Sequence, residues 1–102
     1  MKSTEIIQLT ADLFRVTPEQ MKTKSRKRNL VYARQLSMTL IWLKDFNGPS
    51  EVGATVNRSH TNMIYSRREV SKRYAKCADF RDRVLVALEL TGLSERDILS
   101  IR

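Results

Sequence analysis

Cysteine, histidine, proline and glycine are all scarce in this chain, and each scarcity excludes a class of structure. The one cysteine, Cys77, cannot form an internal disulfide, and with the one histidine, His60, it supplies too few ligands for a zinc site. No apolar run approaches the ~20 residues that span a bilayer. The residues after Met1 also lack the apolar core of a secretory signal. The sequence therefore predicts a cytoplasmic protein that needs no metal or other cofactor.

Positive charge is the most informative part of the composition. Nineteen Lys and Arg residues against eleven Asp and Glu residues give a net charge of +8. Such charge favours binding to nucleic acid, although anionic membranes attract it as well. The hydrophobic share of 41% and the charged share of 29% are ordinary for a globular protein. We therefore expect residues 1–102 to form one domain around one hydrophobic core.

Apolar residues recur at helical spacing along most of the chain, and few glycines or prolines interrupt them. This pattern predicts an all-α domain whose helices are joined by short turns. The predicted helices cover residues 3–15, a short segment that starts at Pro18 after the cap Thr17, and residues 27–46, 50–56, 60–76 and 79–91, with a short last helix after Ser94. Gly48 and Pro49 are expected to end the longest helix, since proline cannot continue its hydrogen bonds. The expected core stripe of the longest helix is Ala33, Leu36, Leu40 and Leu43, and that of the helix over residues 60–76 is Met63, Ser66, Val70 and Tyr74.

Residues 48–76 have the pattern of a helix-turn-helix: a short helix, a tight turn, and a longer basic helix capped by Ser59. In such motifs the second helix enters the major groove, and its first residues reach base edges. The side chains at this position are all polar, and they belong to Ser59, His60, Thr61 and Asn62. Farther along the helix follow cations that could meet phosphates: Arg67, Arg68, Lys72, Arg73 and Lys76. The sequence therefore predicts preferential binding to particular sequences of double-stranded DNA.

Four separated segments resemble one known family, in the same order and at nearly the same spacing. They are 26–28 (Arg-Lys-Arg), 31–38 (Val-Tyr-Ala-Arg-Gln-Leu-Ser-Met), 51–53 (Glu-Val-Gly) and 58–61 (Arg-Ser-His-Thr). They resemble the basic loop, the long helix, the turn entry and the G-G-R-D-H-T-T signature of the C-terminal DNA-binding domain (domain IV) of the bacterial replication initiator DnaA. The resemblance covers about residues 6–90 and implies an all-α fold with a central helix-turn-helix, similar to that of Trp repressor. It also implies DNA binding linked to replication initiation or its regulation, with a protein of the replication machinery as a possible further partner.

The resemblance assigns roles to the matched residues. Arg26 matches the loop arginine that enters the minor groove, and His60 and Thr61 match the residues that read bases; Ser59, in place of an aspartate, is a further candidate for base contact. Because Ser59 lacks the negative charge, and because the single Asn57 replaces two glycines, we expect an altered base preference. The predicted contacts with the DNA backbone are Lys27, Arg28, Arg34, Gln35, Ser50, Arg58, Asn62, Arg68 and Lys72. For Arg34 an alternative is a structural ion pair with Asp45 or Glu51.

Other classes of function fit less of the sequence. A protein-interaction or membrane-surface module would use the same charge, but a helix that lies on a membrane needs large exposed apolar residues, and the basic faces offer only Tyr65. We expect no enzyme, because no nucleophile is paired with a base, and no nucleotide site at residues 48–55, where Ala54 replaces the lysine of a phosphate-binding loop. A small transcriptional regulator of mobile-element origin remains an alternative. The chain is too short for the initiator's ATPase domain, and its tail after Ser94 leads us to expect a free-standing protein.

Overall fold

The computed structural model describes residues 1–45 and 48–100, and all regular structure in them is α-helical. The helices are α1 (Ser3–Leu13), α2 (Pro18–Met21), α3 (Arg28–Asp45), α4 (Pro49–Ala54), α5 (His60–Lys76), α6 (Ala78–Thr91) and α7 (Glu95–Leu99). The predicted all-α class is confirmed, and the described helix ends lie within two residues of the predicted ones. The predicted end of the longest helix at Phe46 and Asn47 lies outside the described residues.

Helix α3 is the centre of the domain and contacts α1, α2, α4, α5 and α6. Every residue from Ala33 to Ile41 is buried, so all faces of this part of α3 are largely covered. The predicted stripe was therefore too narrow, and its last member, Leu43, is only partly buried. Polar residues fit inside because their hydroxyls donate to carbonyls on the same helix: Ser37 to Arg34 at 2.9 Å and Thr39 to Gln35 at 2.8 Å.

The short helix α2 fixes the point where the basic segment before α3 begins. Thr17 and Gln20 form the predicted capping box, in which each side chain accepts a hydrogen bond from the other residue's backbone N–H, at 2.9 and 3.1 Å. Pro18 occupies the first turn, where its missing N–H costs nothing. Met21, the last residue of α2, is fully buried and anchors the helix to the core.

Helices α4 and α5 meet at a tight turn that leaves no room for a larger residue at position 53. A Cβ added to Gly53 would lie 2.6 Å from the Arg58 carbonyl oxygen and 2.7 Å from that of Ser59. Asn57 has a φ of +63°, the left-handed conformation that asparagine tolerates better than most residues. The Arg58 N–H then donates to the Gly53 carbonyl at 2.8 Å. This compact turn sets the direction in which α5 leaves.

The two long C-terminal helices pack as their patterns predicted. The stripe Met63, Ser66, Val70 and Tyr74 of α5 is buried, as are Phe80, Val84, Ala87 and Leu88 of α6. Helix α7 is attached by Ile98, which is fully buried, and by Glu95, which accepts a hydrogen bond from the Tyr74 hydroxyl at 2.7 Å. Of the helices that the structure describes, none has the length and apolar character needed to cross a membrane.

Candidate nucleic-acid interface

The first turn of α5 presents an exposed set of polar side chains. Ser59, His60, Thr61 and Asn62 are all exposed, whereas the next residue, Met63, is fully buried. Ser59 is the N-cap, and its Oγ accepts a hydrogen bond from the Asn62 N–H at 3.3 Å. The hydroxyl proton of Ser59 stays available for a partner, because this bond uses only a lone pair. The structure thus places the predicted base-reading residues together at one helix end.

The second exposed group is the basic loop, defined here as residues 22–27, which joins α2 to α3. The side chains of Lys22, Lys24, Arg26 and Lys27 are exposed, and so is that of Arg28 at the start of α3. Hydrogen bonds within the loop are long: the Ser25 N–H reaches the Thr23 Oγ1 at 3.4 Å, and the Lys27 N–H reaches the Ser25 Oγ at 3.4 Å. The loop therefore depends on neighbouring elements for its position.

Arg34 of α3 is one of the residues that hold the basic loop. Its side chain is only 4% exposed, and its Nε donates to the Met21 carbonyl while its Nη2 donates to the Thr23 carbonyl at 2.9 Å. Burial, and after it the nearby charge of Arg58, lowers the pKa of Arg34. Both of these donors bind main-chain carbonyls, which is a structural role different from the ion pair with Asp45 or Glu51 that the sequence left open. Its direct contact with DNA remains a prediction.

Arg58 joins the turn of the helix-turn-helix to the same loop. Its Nη2 donates to the Thr23 carbonyl at 2.7 Å, and its Nη1 donates to the Asn57 carbonyl at 3.1 Å. Asn57 adds a contact at the limit of hydrogen-bond distance, from its Nδ2 to the Lys22 carbonyl at 3.5 Å. Two guanidinium groups, from α3 and from the turn, therefore converge on one carbonyl of the basic loop.

A cleft of about 470 Å³ separates the basic loop from α5. Its lining combines cations, uncharged polar groups and two apolar side chains from the loop, α3, the turn and α5: Lys24, Ser25, Arg26, Val31, Arg34, Gln35, Met38, Arg58, Asn62 and Tyr65. Sequence reasoning gave no DNA contact to Tyr65, yet its side chain is 54% exposed and lies one turn beyond Thr61. The spacing of four residues from Thr61 was the signal that could have identified it.

Two of the arginines expected on the phosphate-facing surface of α5 are turned toward the protein instead, which corrects that expectation. Arg73 is half-buried, with its guanidinium 3.8 Å from the centre of the Tyr32 ring, and its Nη1 donates to the Gln35 Oε1 at 2.9 Å. Arg67 is half-buried too, 4.5 Å from the centre of the Trp42 ring. Aromatic rings attract such cations, especially where water is excluded.

Gln35 is only 8% exposed and accepts the hydrogen bond from Arg73, and its contact with DNA also remains a prediction. Arg68, Lys72 and Lys76 are the cations that keep an exposed position on α5. Lys72 is exposed and lies 3.5 Å from the half-buried Glu69 carboxylate, in an ion pair on the surface that is weak in water. Ser50, at the start of α4, is exposed as well.

A family of known proteins matches about two thirds of this chain. A family model described as "Bacterial dnaA protein helix-turn-helix" matches residues 3–70. The chain belongs to this family. The match includes α1, α2, the basic loop, α3, α4 and the first eleven residues of α5, whereas α6 and α7 lie outside it. The resemblance inferred from the sequence is confirmed, and with it the DNA-binding helix-turn-helix fold.

Several relatives carry the name chromosomal replication initiator protein DnaA. The one from Porphyromonas gingivalis strain W83 is 35% identical over 86 residues, which cover 83% of this chain and 18% of the relative. Those from Crocosphaera subtropica and Mycobacteroides abscessus are 32% and 31% identical, covering 89% and 82% of this chain and 19% and 17% of the relatives. The chain spans less than a fifth of the length of these relatives.

Proposed function

We propose that this domain binds double-stranded DNA with the start of α5 in the major groove and with Arg26 in the adjacent minor groove, in replication initiation or its regulation. The observation that carries the proposal is the joint placement of two exposed groups, the basic loop and the first turn of α5, which Arg58 links through the Thr23 carbonyl at 2.7 Å. The proposed role is binding and not catalysis, in the bacterial cytoplasm.

In the major groove, His60 and Thr61 are the proposed base-reading residues. The groove is about 12 Å wide and admits a helix, whose first turn reaches the base edges. An imidazole can donate to or accept from a base, and the threonine methyl can pack against the methyl group of thymine. Ser59 can donate, but it offers a weaker acceptor to a cytosine amino group than a carboxylate would. We therefore expect a base preference different from that of relatives with an aspartate at this position.

In the minor groove, Arg26 is the proposed probe. A narrow A/T-rich groove concentrates negative potential, which attracts an arginine without a base-specific hydrogen bond. The exposed position of Arg26, on a loop that neighbouring guanidinium groups hold, supports this role.

The cleft between the loop and α5 is the proposed path of one sugar-phosphate strand, because such a strand always separates a minor groove from the adjacent major groove. The cations and amides that line the cleft support this path, with Arg58 and Asn62 as contacts and with Arg34 and Gln35 at its base. Exposed side chains outside the cleft would meet flanking phosphates: Lys27, Arg28, Ser50, Arg68 and Lys72. Phosphate contacts of this kind position a domain on DNA, whereas base contacts give specificity.

Selection of bound duplexes from a random pool tests the proposal. We expect enrichment of an A/T-rich element beside a second, distinct element. On the selected duplex, Arg26→Ala and His60→Ala should each weaken binding by about 1–3 kcal/mol. Arg96→Ala, which removes an exposed arginine from α7, is the control for lost charge.

Three other outcomes would change the assignment. Unchanged affinity in both interface variants would remove the site. Tighter binding to anionic vesicles than to DNA at physiological salt would favour the membrane-surface alternative. Selected sequences that occur at promoters and not at an origin would favour a transcriptional regulator, and the proposed partner among replication proteins would then fall away.

A further inference from the structure

We propose that Arg34 and Arg58 form a guanidinium bridge that fixes the spacing between the two DNA-reading elements, and that this bridge makes the domain selective for the distance between the two halves of its site. The inference rests on the proposed function. It gives both arginines a positioning role that differs from a contact with phosphate.

The bridge consists of hydrogen bonds from side chains to the main chain of residues 21–23. Arg34 donates to the carbonyls of Met21 and Thr23, and Arg58 donates to that of Thr23 at 2.7 Å. A carbonyl oxygen has two lone pairs, so Thr23 can accept from both groups at once. Arg34 therefore ties α3 to the end of α2 and to the loop, whereas Arg58, in the turn before α5, ties the helix-turn-helix to the loop.

Beyond Thr23, whose N–H and hydroxyl donate to the Gln20 carbonyl at 3.1 and 2.7 Å, the loop has few other means to hold its position. Its internal hydrogen bonds are 3.4 Å long, and Lys22, Lys24, Arg26 and Lys27 are exposed and repel one another. Hydrogen bonds to charged groups are stronger than neutral ones, so the guanidinium bonds dominate. Arg34 is almost fully buried, which holds its guanidinium in one orientation.

A fixed spacing in the protein requires a fixed spacing in the DNA. One inserted base pair moves the second half of a site by about 3.4 Å and rotates it by about 34°. A rigid loop cannot follow this shift, so Arg26 and the start of α5 can no longer both reach their grooves. A loop released from the bridge can follow it, and the cost of the insertion should fall.

The experiment compares the selected duplex with the same duplex carrying one base pair inserted or deleted between its two elements. We expect the unmodified protein to bind the altered duplexes about tenfold or more weakly, the scale of one lost base contact or more. In Arg58→Met this ratio should fall to about threefold or less, while Arg58→Lys, which keeps the charge but not the fork geometry of the guanidinium, should give an intermediate ratio.

Arg81→Met is the matched control, because the Arg81 guanidinium also donates to two carbonyls, those of Tyr74 and Ala75 at 2.9 and 3.0 Å, but between α6 and the end of α5. Its spacing ratio should equal that of the unmodified protein. Arg34→Met removes the other half of the bridge and should lower the ratio in the same way; if it does not fold, Arg58→Met, at a residue that is only half-buried, carries the test.

A uniform loss of affinity in Arg58→Met with an unchanged ratio would show a phosphate contact alone and would overturn the bridge. A spacing ratio that falls as far in Arg81→Met as in Arg58→Met would overturn the bridge as well. Amide hydrogen exchange without DNA separates the bridge from the proposed function: residues 22–27 should exchange faster in Arg58→Met and not in Arg81→Met. Faster exchange in a protein that binds no duplex would leave the bridge standing and overturn both the DNA-binding proposal and the spacing role.

Discussion

Replacing Gly53 by alanine should lower both the stability of the domain and its affinity for its DNA site. The added Cβ would lie 2.6 Å from the Arg58 carbonyl oxygen and 2.7 Å from that of Ser59, whereas ordinary contacts begin at 3.4 Å. Both neighbours are backbone atoms, so no flexible side chain can give way. The turn must open, and with it the N-cap that begins α5.

The sign of the change in stability separates two effects. Helix propensity alone predicts that Gly53→Ala stabilises α4 by about 1 kcal/mol. Overpacking of a well-packed site costs about 1–3 kcal/mol, and two backbone contacts place this case toward the upper end. We expect a net loss of about 1–2 kcal/mol, which lowers the melting temperature by roughly 4–16 °C in a domain of this size.

The matched control is Ala54→Gly, at the next position of the same helix, where the side chain is exposed. Because Ala54 is the last residue of α4, it should cost at most about 1 kcal/mol through helix propensity and leave DNA binding unchanged. Thermal unfolding and binding to the selected duplex are measured for both variants. A Gly53→Ala protein as stable as the unmodified one, with unchanged affinity, would refute the argument that this turn leaves no room for a methyl group.

Three further predictions address separate parts of the domain. Lys72→Ala should weaken binding to all DNA sequences alike and reduce the slope of log affinity against log salt by about one, as seen in titrations at several salt concentrations; a loss confined to one sequence would contradict this. Tyr65→Ala should weaken DNA binding several-fold without changing the salt slope, because the residue is uncharged. Tyr65→Phe shows whether the ring or the hydroxyl makes the contact. Equal affinity in the unmodified protein and both variants would remove Tyr65 from the interface. Burial, and then the hydrogen bond to Glu95, raises the pKa of Tyr74 to about 12, so its stabilising contribution is complete below about pH 10 and is lost toward pH 12. In thermal unfolding measured between about pH 10 and pH 12, Tyr74→Phe should lose less stability than the unmodified protein. Equal losses of stability in the two proteins over this pH range would contradict the raised pKa.

Elements with strong local signals could be predicted from the sequence. The capping box of Thr17 and Gln20 involves residues three apart, and the stripe Met63, Ser66, Val70 and Tyr74 follows the helical period. Both depend on local geometry that adjacent residues determine. The first turn of α5, from Ser59 to Asn62, could be recognised as a candidate reading surface for the same reason.

Partners distant in the chain could not be predicted in this way. Arg34 and Arg58 look like any other cations of a basic sequence, yet both bind the Thr23 carbonyl, 11 and 35 residues away. Arg73 likewise turns toward Gln35 and Tyr32 because packing brings α3 and α5 together. The spacing of apolar residues indicates which face of a helix is buried, but it does not indicate which distant residue a charged side chain on that helix will contact. The width of the buried surface on α3 was missed for the same reason, since five helices enclose it.

Replacement of single A·T pairs by inosine·cytosine in the selected duplex tests the central claim most directly. Inosine·cytosine has the minor-groove acceptors of A·T without the guanine amino group, but the major-groove face of G·C. At the positions assigned to Arg26, the replacement should leave affinity nearly unchanged, while at those assigned to His60 and Thr61 it should weaken binding by about 1–3 kcal/mol per pair. The opposite pattern, or equal tolerance at both sets of positions, would contradict the assignment of the loop to the minor groove and of α5 to the major groove.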